Sequence, residues 1–115
     1  MAGILEDAVA ACRAKLTALG IPNAHDPGQA RPKCVMVELP TVRVATSAVF
    51  DIDIRLVVCG SPPGNAATNA WIATTADAIL GSTLQVVDGR PSWADYNGQQ
   101  MPTYELTARL GHHIN

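Results

Sequence analysis

From Phe50 to Val58 the side chains alternate in character, with Phe50, Ile52, Ile54, Leu56 and Val58 on one side and Asp51, Asp53, Arg55 and Val57 on the other. A period of two marks a strand with one packed face and one wet face. The stretch 49–59 is therefore expected to be a long strand whose outer face carries charges of both signs. Residues 101–110 alternate in the same way. Tyr104, Leu106, Ala108 and Leu110 there oppose Thr103, Glu105, Thr107 and Arg109.

Two other stretches have the period of a helix. Leu5, Ala8, Val9, Cys12, Leu16 and Leu19 recur at spacings of three and four. Glu6 and Asp7 stand near the start and Arg13 and Lys15 nearer the end, the order a helix dipole favours. Gly20 supplies a closing residue that tolerates positive φ, and Pro22 prevents resumption. After Gly60-Ser61-Pro62-Pro63-Gly64, Asn65 is the expected N-cap of a second helix. Its apolar stripe is Trp71, Ile72, Thr75, Ala76, Ile79 and Leu80, and Gly81 closes it.

The remaining signals are shorter. Pro22, Pro27 and Pro32 bracket a surface loop over 23–33. Strands are expected over 34–39, 41–45, 84–87 and 91–96. Turns are expected at 46–48, at Asp88-Gly89 and at Asn97-Gly98. The order reads α-β-β-β-α-β-β-β without repeat or linker, as one domain over 1–115. The predicted class is α+β, a mainly antiparallel sheet with two helices packed on one face. Phe50, Ile52, Ile54, Leu56, Tyr104 and Leu106 should join both helix stripes in one core.

Composition narrows the function. A chain of 115 residues buries roughly two-thirds of its unfolded surface without staples. A formal charge of −2 and a pI near 5.8 argue against a domain that grips nucleic-acid phosphates. Glu6, Asp7, Arg13 and Lys15 interrupt the first apolar stretch, so neither a membrane span nor a secretory leader is expected. The expected compartment is the cytosol of the cell that makes the protein. Cys12, Cys34 and Cys59 form no CxxC pair, and each is expected to be a small buried hydrophobe.

The search for chemistry finds no catalytic set. The Gly60–Gly64 stretch lacks the Lys of a phosphate loop, and its two prolines remove N–H donors an anion would need. Asp51 and Asp53 lie about 7 Å apart on one strand face. With Arg55 beside them and no third carboxylate in place, they read as solvated or partner-facing surface. His112 and His113 point to opposite sides of what is expected to be a mobile tail, an arrangement poorly suited to a shared metal with His25. No serine has a nucleophile-elbow context. The expectation is a protein without enzymatic activity, cofactor or metal. Trp93 and Tyr96, in a polar and turn-rich segment, are lids over the sheet edge or interface anchors.

Taken together, Gly20-Ile21-Pro22 with Asp26-Pro27, the run Pro32-Lys33-Cys34-Val35-Met36-Val37, the long alternating strand, the Gly/Pro turn before the second helix and Pro102-Thr103-Tyr104-Glu105-Leu106-Thr107 resemble the tail terminator proteins of long-tailed phages, the actinobacteriophage type in particular. The resemblance covers nearly the whole chain and rests on patterns of fold. It implies a virion structural protein assembled in the host cytoplasm, with itself as first partner in a sixfold ring. That ring caps the major tail tube protein, ends its polymerisation and joins it to the head–tail connector. DNA passes through without specific binding, and no membrane is involved. A head-completion protein of the same phages, a small ligand-binding domain and a cellular dimeric adaptor are the alternatives. The expected interface residues are Asp51, Asp53, Arg55, Trp93, Tyr96, Glu105 and Arg109.

Overall fold

The computed structural model describes residues 4–46, 49–62, 66–96 and 98–113, and the side chains of 4, 27, 43–46, 49–50 and 111–113 lie outside that description. The first helix, α1 (Ile4–Ala18), buries Ala8, Val9, Cys12 and Leu16 at helical spacing. Leu5 and Leu19, at the ends of the expected stripe, stay exposed. Gly20, at φ 76°, closes the helix as expected: its N–H donates to the Thr17 carbonyl at 3.0 Å, and the Ile21 N–H donates to the Leu16 carbonyl at 2.9 Å.

The expected loop over 23–33 is more ordered than its prolines suggest. Asn23–Ala24 is a two-residue strand, β1, pairing in parallel with β2 (Cys34–Val37), and Pro27–Gln29 forms a single 3-10 turn. The side chain of Asn23 holds the corner together. Its amide donates to Thr17 Oγ1 at 3.1 Å and to the Ile21 carbonyl at 3.0 Å, and its oxygen accepts from Arg13 Nε at 2.9 Å.

Both β2 and β3 (Thr41–Thr46) lie antiparallel along one edge of β4 (Val49–Cys59). Val37 stands opposite Leu56 and Thr41 opposite Asp53, so four steps on one side match three on the other. The extra residue makes a bulge at Glu38-Leu39-Pro40, where a residue without an N–H is tolerated. The first expected strand thus ends at Val37 rather than Leu39, and Leu39 projects outward with 68% exposure. The expected turn at 46–48 lies largely outside the described residues.

The second helix, α2 (Ala66–Leu80), buries Thr68, Ile72, Thr75, Ala76 and Ile79, with Trp71 partly buried. Leu80 departs from its expected place in the stripe and is 53% exposed. The expected N-cap, Asn65, is outside the described residues. At the other end Gly81 keeps a negative φ, and the Ser82 hydroxyl donates to the Ile79 carbonyl at 2.6 Å. The cap is a side chain, not a left-handed glycine.

Two expected strands after α2 are one, β5 (Val86–Tyr96), paired with β6 (Gln99–His113). Asp88-Gly89 is not a turn. The register shifts between Val86 and Asp88, so Val87 is an extra residue in a bulge. A Cβ on Gly89 would lie 2.9 Å from Leu106 Cδ2 and 3.0 Å from Tyr104 Cε1, so a larger residue there requires those side chains to shift. At the hairpin end Tyr96 pairs with Gln99, and Gly98 takes φ 79°. His112 and His113 are not a mobile tail, since they pair with Phe50 and Val49 in the β4–β6 ladder.

The sheet order is β1-β2-β4-β6-β5, with β3 on β4, and all pairs except β1–β2 are antiparallel. Both helices pack on one face, over Val35, Val37, Ile52, Ile54, Leu56, Val58, Leu106 and Ala108. This is the expected α+β class and register. The side chain of Phe50, expected in the same core, falls outside the description. The second face departs from expectation: half of it is apolar. Ala24, Cys34, Met36, Val57, Cys59 and Met101 form a second buried cluster, with Ala30, Ala94 and Tyr96 packed on it.

Candidate functional site: a charged sheet face and two unlike edges

The first half of β4 projects Asp51, Asp53 and Arg55 on the face away from the helices, because odd positions point that way along this strand. The β4–β6 register sets Arg109 directly opposite Asp53 and puts Glu105 one step diagonal from Arg55. Arg109 donates from Nε to Asp53 Oδ1 at 2.9 Å and from its terminal nitrogen to Oδ2 at 3.3 Å. This fork and the Asp53 charge hold the Arg109 guanidinium above its ordinary value.

Arg55 is shared. Its Nε donates to Glu38 Oε1 at 2.7 Å, and a terminal nitrogen reaches Glu105 Oε1 at 3.3 Å. The Glu38 hydrogen bond is the main cause that raises Arg55. Arg90 approaches the same Glu105 oxygen at 3.8 Å. The Tyr96 hydroxyl donates to Glu38 Oε2 at 3.4 Å, and burial followed by the Glu38 charge pushes its phenol well above the ordinary value. A chain of polar contacts thus runs Arg90, Glu105, Arg55, Glu38, Tyr96.

That chain reports the curvature of the sheet. Tyr96 is on β5, and Glu38 follows β2, with β6 and β4 between them. In a flat sheet those strands would stand roughly 14 Å apart. Contact between the two side chains means the sheet curls around this face, which closes the second apolar cluster beneath.

Asp51, Asp53, Arg55, Tyr96, Glu105 and Arg109 therefore share one face. Trp93 does not. It pairs with Pro102 on the helix side of β5, three residues and so one face away from Tyr96. There it is 54% exposed and flanks an apolar groove with Ile72, Ala73, Leu80, Pro91 and Tyr104. Sequence reasoning missed Glu38 and Arg90 as members of the charged network. It also missed the outward Leu39, which adjoins His25 and Arg13.

Among the described residues the face carries both signs, with Glu38, Asp51, Asp53, Asp88 and Glu105 against Arg55, Arg90 and Arg109. Among the described residues no group of three His, Cys, Asp or Glu is placed to hold a metal ion. The ring of His25 donates from Nδ1 to the Val37 carbonyl at 2.7 Å. His112 is opposite Phe50, six residues from the Leu56 that faces Val37, or roughly 20 Å along the strand. Among the described residues, no helix is long and apolar enough to cross a membrane. Compared with known proteins, the chain matches no family model and no curated protein.

Proposed function

We propose that this chain is a phage structural protein of the tail-terminator kind. Copies join head to tail into a ring, expected to be sixfold, that caps the tail tube, ends its polymerisation and offers its other side to the head connector. The reading draws on the resemblance carried by the sequence patterns. One structural observation supports it most: the two lateral edges of the sheet are unlike and complementary. One edge carries the groove beside Trp93 and Leu80, with Asp77 on its rim and Asp95 on the same face of β5 as Trp93. The opposite edge carries the projecting Leu39, with Arg13, His25, Glu6, Asp26 and Glu38 around it.

An apolar knob on one edge and an apolar groove on the other make a heterologous contact, and such contacts close into rings when the rotation permits. The charges around the knob are of both signs, so the apolar fit carries the pairing and the mixed charges serve to fix its register. We place the contact at the edges, with Trp93 as its anchor, because the arginines of the charged face already have partners within one subunit.

The test uses Leu39→Asp and Trp93→Asp, both at exposed positions. Each variant alone is expected to stay folded by circular dichroism and monomeric by light scattering. Mixed one to one, they should form dimers and no larger ring, since one intact knob and one intact groove remain. Added to polymerising tail tube protein, only the wild type should limit tube length. A wild-type protein that stays monomeric, or variants that each form full rings, would sink the proposal. Binding to the connector without any effect on tube length would favour the head-completion alternative.

A further inference from the structure

Cys34 and Cys59 stand directly opposite each other in the β2–β4 ladder. Opposed residues on antiparallel strands have Cα atoms about 4.5–5.5 Å apart, inside the roughly 4.4–6.8 Å that a disulfide spans. Both thiols are free and both side chains are fully buried. They lie in the apolar cluster on the face away from the helices, with Met36, Val57 and Met101. Cys12 lies in the helix-side core, on the other side of the sheet. The sheet itself selects one pairing.

Each thiol is turned along its own strand, Cys34 Sγ donating to the Val35 carbonyl at 3.8 Å and Cys59 Sγ to the Val57 carbonyl at 3.6 Å. Two neighbours bear on the pair. Lys33, just before Cys34, holds φ 58°, a left-handed conformation that costs a non-glycine residue energy. Its N–H donates to the Cys59 carbonyl at 2.9 Å, so the strained residue clamps the two strands at this point. On the other side of β4, Thr103 stands opposite Cys59. Its Oγ1 is buried without a hydrogen-bond partner among the described residues.

We propose that Cys34 and Cys59 are a covalent modification site, closed to a cross-strand disulfide by a low-molecular-weight disulfide of the glutathione class. Access comes by lifting the segment before β2, whose Ala30 covers the cluster. Cys34 is the attacking thiol. Burial raises it, but Arg31 and Arg13 offset part of that rise, whereas burial pushes Cys59 up to about 12. The Cys34 thiolate attacks one sulfur of the small disulfide. A mixed disulfide forms, and one small thiolate leaves and takes up the proton Cys34 lost.

In the second step the Cys59 thiolate attacks the Cys34 sulfur, the bond to the small molecule breaks, and the second small thiolate leaves with the proton from Cys59. The Thr103 hydroxyl, which has a donor to spare, hydrogen-bonds the Cys59 sulfur as its charge develops. Two protein thiols are oxidised and one small disulfide is reduced to two thiols. The bond would staple β2, whose outer neighbour is only the two-residue β1, to the centre of the sheet. Nothing in this depends on ring formation.

The test exposes the reduced full-length chain to excess oxidised glutathione, then traps remaining thiols with N-ethylmaleimide under denaturing conditions. Mass spectrometry is expected to find a single trapped thiol, at Cys12, and the Cys34 and Cys59 peptides joined, two hydrogens lighter than their sum. Cys12→Ser should close like the wild type. Cys59→Ser should stop at a glutathione adduct on Cys34. Thr103→Val should reach the wild-type product several-fold more slowly, and an unchanged rate would overturn the part given to its hydroxyl. Three trapped thiols, a bond that includes Cys12, or a wild-type adduct that never resolves would overturn the site itself.

Discussion

Gly60 passes so close to Ile72 that a Cβ built on it would stand 2.7 Å from the isoleucine Cδ1, and 2.5 Å from Thr68 Cγ2. The backbone there has no freedom to retreat, because the Gly60 N–H donates to the Pro102 carbonyl at 2.8 Å. Gly60→Ala must push α2 away from the sheet, and overpacking of this kind costs about 1–3 kcal/mol. Thr68→Ser removes the nearest methyl while keeping the hydroxyl bonded to the Ser61 carbonyl. The double variant should therefore recover part of the loss in urea denaturation. Strict additivity would show that α2 does not press on this glycine.

The two buried clusters separate the faces of β4 by a measurable contrast. Ile54→Ala, on the helix side, should cost about 2–5 kcal/mol as a cavity-forming change. Val57→Asp lies on the face that carries Asp51, Asp53 and Arg55, where a carboxylate would look harmless from the sequence. Yet Val57 is 2% exposed, and an unpaired charge there should cost at least as much as the cavity. If Val57→Asp denatures at the wild-type midpoint, the second cluster is not part of the folded core.

Periodicity made most of this architecture legible. The bounds of β4, the two helices and the alternation of β6 follow from spacings of two and of three to four, since burial on one face acts locally along the chain. What escaped depends on partners distant in sequence. Asn23–Ala24 becomes a strand only because β2 has an open edge. Asp88-Gly89 carries turn chemistry but is held in a strand by its pairing with Thr107 and Leu106, and the Leu106 side chain packs closely over Gly89. The charged face was legible as residues and not as pairs, because Glu38 reaches it only through the bulge after Val37. Trp93 and Tyr96 had looked like one patch. Their odd spacing separates them as soon as the segment is a single strand.

Arg55 is a prediction about stability before it is one about assembly. It is half exposed and stands between Glu38 and Glu105, so Arg55→Met should cost no more than about 1 kcal/mol. Arg55→Glu should cost more, since it crowds three carboxylates with Asp53 one step along the strand. Salt should restore much of the difference, as screening weakens exposed like charges. Urea midpoints of both variants, compared at low and high ionic strength, check this. Equal midpoints at low salt would mean that Arg55 is not shared as the geometry places it.

Alkaline pH tests the buried thiols together. Burial raises Cys12, Cys34 and Cys59 from an ordinary value of 9.0, Cys59 to about 12, and it raises the Tyr96 phenol in the same direction. In the folded chain these groups keep their protons where the unfolded chain has begun to lose them. The native state then binds more protons than the unfolded state, and stability must fall as pH rises. The stability is fully present below the unfolded value near 9 and is lost progressively toward 12. Each thiol that stays protonated contributes a slope of at most about 1.4 kcal/mol per pH unit. Arg55 and Arg109 are raised from 12.5 and stay charged throughout this window. Denaturant midpoints measured under reducing conditions should therefore hold steady up to about pH 8.5 and fall above it. Cys59→Ala should flatten the fall by removing the most strongly raised thiol, even if the variant starts from a lower plateau. A profile as steep in that variant as in the wild type would place the alkaline sensitivity elsewhere, with Tyr96 the next group to replace, by Phe.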